Sequence, residues 1–349
     1  MKTSVIVLTA AALFSICVLR AVNAQPPAKN SASGARGEQT AVISESIVIE
    51  TSTGDLHGTL LRPKSASPMP IALIIAGSGP TDRDGNSPML SGPNNSLKLL
   101  AEGLAARGIA SLRYDKRGVG ESGEAMRLAA EKAHKVLREE DLLFEAYIDD
   151  AVSWGKKLLS DRRFSSLTII GHSEGSLIGM VAARRVGARA YVSIAGAGRP
   201  IQQIILEQVK LQFSPDLLKA IEDILNQLVA GKAVADVPAA LNVLFRPSIQ
   251  PYLISWFSFD PAKEIARLSR PVLIVQGTTD IQVSVQDATL LARANPSAKL
   301  MLIDGMNHVL KAVSNEKDKQ IASYSDPVLP IVPNLVGEIS SFIKKPTRN

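Results

Sequence analysis

The chain runs to 349 residues, 46% hydrophobic and 21% charged, with a formal net charge of +6. That apolar content is enough to bury a sizeable core, so intrinsic disorder is excluded as the main state, and glycines and prolines scattered without period exclude collagen, solenoid and propeller architectures. Basic residues interleave with acids, as from Glu131 to Asp141, which is the pattern of a solvated surface and not of a nucleic-acid footprint.

Lys2 precedes an apolar run from Val5 to Val18, and Val22-Asn23-Ala24 follows just ahead of Gln25-Pro26-Pro27. This is the arrangement of a secretory signal, with cleavage expected after Ala24 and the mature protein exported to the periplasm or medium. The run is broken at Arg20 and falls short of the about 20 apolar residues that span a bilayer, so no stable membrane insertion is expected. The one cysteine, Cys17, lies inside this segment without the small residue expected before a lipidated cysteine. The mature chain is therefore expected to carry neither disulfides nor thiolate metal sites.

Residues 25–42, rich in Ser, Ala, Gly and Pro, read as a flexible leader, and the folded part is expected from residue 43. Two apolar runs, Ile47 to Ile49 and Leu56 to Leu61, flank the turn cluster Ser52-Thr53-Gly54-Asp55 and predict an antiparallel hairpin. Short apolar strands then alternate with helix-length segments. Strands are expected at Ile71 to Ala76, Ile109 to Tyr114, Leu167 to Ile170, Ala190 to Ile194, Val272 to Gln276 and Leu300 to Ile303. Helices are expected near 96–107, 141–159, 174–184, 287–294 and 334–343. This βαβ rhythm demands a mostly parallel sheet covered on both faces, of about eight strands with the hairpin added. Between residues 199 and 262 the strand rhythm stops and helical periodicity replaces it, with Ser214 as N-cap and Pro215 at the first helical position. The expected organisation is a signal at 1–24, a leader at 25–42, a core in two parts at 43–198 and 263–345, a helical lid at 199–262 and a tail at 346–349. Aromatic residues of the insertion, Phe245, Tyr252, Trp256, Phe257 and Phe259, either line an acyl pocket or pack the insertion onto the core.

The strongest chemical signal is Gly171-His172-Ser173-Glu174-Gly175, a G-x-S-x-G between a β-branched strand and a helix start. A serine on such a sharp turn is strained, and glycines two residues to either side remove the Cβ atoms that would collide there. A serine needs a base. Of the four histidines, His57 sits in the hairpin, His134 in a charged helical stretch and His172 beside the serine, pointing away from the line of attack. His308, just after the last strand, remains. The carboxylate that steadies it is expected at another strand end, where Asp280 stands. Asp304 reads as a turn former and Asp260 as a weaker rival. The oxyanion donors are expected to be the N–H of Glu174 and that of Ser78 or Gly79, in the loop Gly77-Ser78-Gly79-Pro80, since Pro80 has none. Asp82, Asp84 and Asn86 have the spacing of a calcium loop, but Ser87 and Pro93 occupy the positions where that loop needs glycine and glutamate, so no metal is expected.

In their order, Gly-His-Ser-Glu-Gly, Gly277-Thr278-Thr279-Asp280 and Gly305-Met306-Asn307-His308 resemble the α/β-hydrolase superfamily over nearly the whole mature chain. Arg113-Tyr114-Asp115-Lys116-Arg117-Gly118 resembles the branch that groups serine aminopeptidases, lysophospholipases and small-ester hydrolases, where Asp115 and Arg117 would brace the active-site loops. Gly77-Ser78-Gly79 departs from the His-Gly of the superfamily's lipases. The resemblance implies an α/β-hydrolase fold and cofactor-free hydrolysis of a small-molecule carboxylic ester, with short or medium acyl chain, by Ser173, His308 and Asp280 through an acyl-enzyme. Aminopeptidase, acyl thioesterase or acyltransferase activity uses the same residues. The first of these would need lid carboxylates such as Glu207, Asp216, Glu222 or Asp223 to hold an ammonium. Dehalogenase chemistry is disfavoured by serine at the nucleophile position, and a non-catalytic protein binding an apolar ligand by the intact triad. The sequence leaves the oligomeric state open.

Overall fold

The computed structural model describes residues 41–133, 138–210 and 212–345. The expected signal, almost all of the leader, His134 and the tail lie outside these residues. Strands β1 (Val42–Ile49), β2 (Leu56–Pro63), β3 (Met69–Ile75), β4 (Ala110–Tyr114), β5 (Phe164–His172), β6 (Ala190–Ile194), β7 (Val272–Gly277) and β8 (Lys299–Ile303) form one sheet in the order β1-β2-β4-β3-β5-β6-β7-β8. The β1–β2 and β2–β4 pairs are antiparallel, and the other pairs are parallel.

Alternation along β3 explains the layers. Ile71, Leu73 and Ile75 belong to one core, while Ala72, Ile74 and Ala76 belong to the other, as the two-residue period of a strand dictates. The first core packs under α2 (Gly120–Ala133), α3 (Phe144–Ser160), α4 (Glu174–Val186) and, later in the chain, α10 (Val285–Ala294). The second lies beneath α1 (Ser96–Ala105) and α12 (Pro333–Lys344), through Leu97, Leu100, Leu104, Leu335 and Ile339. Residues buried on both faces of the sheet account for the near-continuous apolar runs of β3 to β7.

Between β6 and β7 the chain forms α5 (Ile201–Val209), α6 (Pro215–Val229), α7 (Asn242–Phe245), α8 (Gln250–Phe257) and α9 (Pro261–Ala266). Their apolar faces, including Ile204, Leu228, Phe245 and Trp256, join the first core, so the insertion shares an interior with the sheet. Phe144 of α3 stacks on Trp256 of α8 with ring centroids 5.4 Å apart. One helix stands where the sequence predicted none, the short α11 (Lys317–Ser323), and α2, largely charged on its surface, runs up to the stretch around His134 that the sequence marks as helical without bounds. β1 starts at Val42 and β5 at Phe164, both earlier than expected, because their first residues are only partly covered and break the apolar run.

Candidate functional site

β5 ends on His172, and Ser173 follows in the left-handed half of backbone space with φ 55° and ψ −122°, at the N-cap of α4. A Cβ on Gly171 would lie 2.1 Å from the Gly175 carbonyl oxygen, and one on Gly175 would lie 2.4 Å from that of Ile75. Both contacts are with backbone, which cannot swing aside, so glycine is required at each position for strand, turn and helix to close this tightly. Ser173 N–H donates to the Ile194 carbonyl at 2.9 Å and fixes the turn to the neighbouring strand. The Glu174 N–H is the first of α4, among those that have no partner within a helix.

His308 lies after β8 in a loop held by Asn307, whose side-chain oxygen accepts from the Lys311 N–H at 3.0 Å and whose amide donates to Ser323 Oγ at 2.7 Å. The short helix α11 thus anchors the histidine loop. His308 Nδ1 stands 2.9 Å from Asp280 Oδ2, with both side chains buried. Asp280 also accepts from the N–H groups of Gln282 and Val283, at 2.8 and 3.0 Å, and from Gln276 Nε2 at 3.1 Å. Burial pushes its carboxyl up, yet the neighbouring His308 and these backbone donors outweigh that and hold it below the ordinary carboxylate value. An ionised Asp280 only accepts, so His308 carries its proton on Nδ1 and presents Nε2 as an acceptor. Of the competing acids, Asp304 accepts from Thr278 Oγ1 in the turn after β8, and Asp260 caps α9.

Ser173, His308, His172, Gly77 and Ser78 line one cavity of about 60 Å³. Gly79 is absent from its lining, and of the two residues expected to supply an N–H from this loop, Ser78 is the one that reaches the cavity. His172 lines the same cavity, with its side chain engaged on the His308 backbone. Its Nε2 lies 2.9 Å from the His308 carbonyl oxygen, and its ring centroid is 4.9 Å from that of His308. Burial pulls its pKa down to about 3, so it is neutral and donates Nε2–H to that carbonyl.

Sequence reasoning missed Lys116. Its Nζ donates to the Gly77 carbonyl and, at 3.1 Å, to Glu174 Oε1, while Tyr252 OH donates to Glu174 Oε2 at 3.0 Å. Lys116 and Glu174 are both almost fully buried. The signal that could have found this lysine is its position at the carboxyl end of β4, where burial of the strand end forces a charged residue to find a partner. Asp115 accepts from the Arg83 and Glu121 N–H groups and pairs with the Arg83 side chain. Arg117 forks onto Asp150. Asp82 and Asn86 accept from backbone N–H groups of their own loop and its continuation, and Asp84 pairs with Arg113. Of the insertion's aromatic residues, Trp256 lines a second, smaller pocket beside Ser173, while Phe245 is wholly within the core.

Residues 94–254 match the family described as Serine aminopeptidase, S33. Esterase EstD of Thermotoga maritima is 30% identical over 258 residues, which make up 73% of this chain and 58% of that protein, so the chain spans little more than half the length of this curated relative. Among solved structures, Est1E from Butyrivibrio proteoclasticus with bound ferulic acid superposes with a TM-score of 0.55 at 19% identity, over 85% of this chain and 96% of that one. An acylaminoacyl peptidase from Pyrococcus horikoshii gives 0.53 at 13% identity, over 88% of this chain and 43% of that one. At such identities these two structures speak to the fold. The chain therefore has the α/β-hydrolase fold, shared with esterases and peptidases alike, and over 258 residues it is similar in sequence to one esterase.

Proposed function

We propose that the protein hydrolyses a carboxylic ester through Ser173, His308 and Asp280. The observation that carries this reading is the cavity that Ser173 and His308 share, with His308 Nδ1 committed to Asp280 and Nε2 left as the base. Ser173 Oγ attacks the carbonyl carbon while His308 Nε2 takes its proton, and Asp280 stabilises the imidazolium. The N–H groups of Glu174 and Ser78 stabilise the oxyanion. The imidazolium then protonates the leaving alcohol, and a water activated by the same nitrogen releases the acid from the acyl-enzyme.

Peptide hydrolysis from a free N-terminus is the second reading, favoured by the description of the matching family. It needs a carboxylate for the substrate's ammonium. Glu207, Asp216, Glu222 and Asp223 are all exposed, and Glu174, the acid beside Ser173, is already taken by Lys116 and Tyr252. Ester hydrolysis makes no such demand. Purified protein should turn over p-nitrophenyl acetate and react with a fluorophosphonate, and Ser173→Ala should lose both, the turnover by at least about a thousandfold. Turnover of aminoacyl anilides in place of esters would select the peptidase reading, and retention of ester hydrolysis in Ser173→Ala would remove the serine from the mechanism.

A further inference from the structure

Two pockets meet at Ser173, and they differ in size and chemistry. The larger, of about 60 Å³, is the one His308 lines; the smaller, of about 10 Å³, is lined mainly by apolar groups, Leu177, Ile201, Trp256 and Val283 among them, together with Glu174 and Arg199, and does not include His308. The general acid must reach the oxygen of the departing alcohol, so the alcohol leaves on the His308 side. The acyl chain then takes the other side, and the two pockets are assigned to the two halves of the substrate.

The acyl side has room for about one water-sized group, which is a methyl. Its roof is fixed, because Trp256 stacks on Phe144 at an interplanar angle of 5° inside the core. The alcohol side is mixed: Ser78, Ser87, Ser96 and Gln282 face it beside an apolar wall of Leu90, Val309 and Tyr324. None of the three serine hydroxyls donates its proton within the described residues, and Gln282 spends its amide nitrogen on Tyr324 OH at 2.9 Å while its side-chain oxygen accepts from no described residue. An apolar alcohol would strip water from these groups and return nothing, whereas a chain bearing vicinal hydroxyls replaces that water bond for bond.

We infer that the substrate is an acetyl ester of a polyol, with the acetyl methyl beneath Trp256 and the polyol hydroxyls on Ser87, Ser96 and Gln282. This rests on the ester-hydrolase reading above. The same chemistry is found in small polyol acetates and in O-acetylated sugars, so the test includes both. Hydrolysis of glyceryl monoacetate, methyl 6-O-acetyl-glucoside, 1-propyl acetate, glyceryl monobutyrate and glyceryl monooctanoate is followed by pH-stat. The faster of the two polyol acetates should exceed propyl acetate at least tenfold in kcat/KM, and it identifies the source of the polyol. Glyceryl monoacetate should exceed the monobutyrate at least tenfold.

In Ser96→Ala with Gln282→Leu, the ratio of polyol acetate to propyl acetate should fall toward one. In Trp256→Ala, the butyrate should gain on the acetate. Each is a ratio within one preparation, so a partly unfolded variant does not distort it. Propyl acetate equal to or faster than both polyol acetates would overturn the inference and leave ester hydrolysis standing, as would unchanged ratios in the variants. Silence on all five esters and on p-nitrophenyl acetate would take away the ester-hydrolase reading and this inference with it.

Discussion

Lys116 is a buried cation whose two partners belong to the two segments expected to bind the oxyanion: the Gly77 carbonyl and the Glu174 carboxylate. In a planar trans peptide, C=O and N–H point in opposite directions, so anchoring the Gly77 oxygen turns the Ser78 N–H the other way. Removing the lysine alone would leave Glu174 buried and unpaired, at a cost of about 3–5 kcal/mol, so the informative variant is Lys116→Met with Glu174→Gln, which removes both charges. In the proposed mechanism kcat should fall about 10–100-fold with KM little changed, and affinity for a trifluoromethyl ketone, which forms the tetrahedral adduct, should fall by a similar factor. An unchanged kcat in a folded double variant would reduce Lys116 to a structural pair. His172 carries a pH consequence of its own. Burial holds its pKa near 3 in the folded state against an ordinary 6.5, so between those values the unfolded chain binds the extra proton. This contribution to stability is complete above about pH 6.5 and is lost as the pH falls toward 3. Lowering the pH from 7 to 5 should therefore cost the wild type about 2 kcal/mol that His172→Asn does not lose. Urea titrations of both proteins at pH 7, 6 and 5 measure it, and parallel pH dependences would contradict it.

At the scale of elements, the strands that position the site are those whose residues are buried on both faces. The apolar runs of β3, β6 and β7 mark them in the sequence, and β6 occupies Ala190–Ile194 as expected. The elbow was equally legible, because Gly171 and Gly175 are demanded by backbone contacts that no other residue type relieves. What escaped, or was seen only at one end, were elements whose reason lies elsewhere in the fold. α2 is mostly polar on its surface, yet its N-terminal Ser122 accepts from the His57 N–H and donates to the Asp115 carbonyl, tying hairpin to loop over 65 residues of chain. α11 has one turn's worth of burial, and its use is to receive Asn307 from the histidine loop. Lys116 was hidden between two residues of a recognisable pattern, and nothing local says that its partners are Gly77 and Glu174. Contacts across such separations carry no periodicity for a sequence to display.

Among the described residues two large cores share one sheet, beside a small cluster around Val309 and Tyr324. Consecutive residues of β3 feed opposite sides, Leu73 into the core that includes the insertion and Ile74 into the core beneath α1 and α12. A sheet cannot keep one face when the other is lost, since the same backbone hydrogen bonds hold both, so the cores should melt as one unit although the insertion at 199–262 interrupts the chain. The two tryptophans offer a direct test, because Trp154 and Trp256 both lie in the first core, on α3 and on α8. Leu335 lies in the second, on α12. Leu335→Ala should lower stability by about 2–5 kcal/mol through loss of burial and the cavity left behind. Though no tryptophan touches that core, fluorescence should report the full loss, with a midpoint coincident with that of far-UV circular dichroism in the same denaturant titration. A fluorescence midpoint that stayed at the wild-type value while the dichroism shifted would mean that the insertion and its face of the sheet hold together independently.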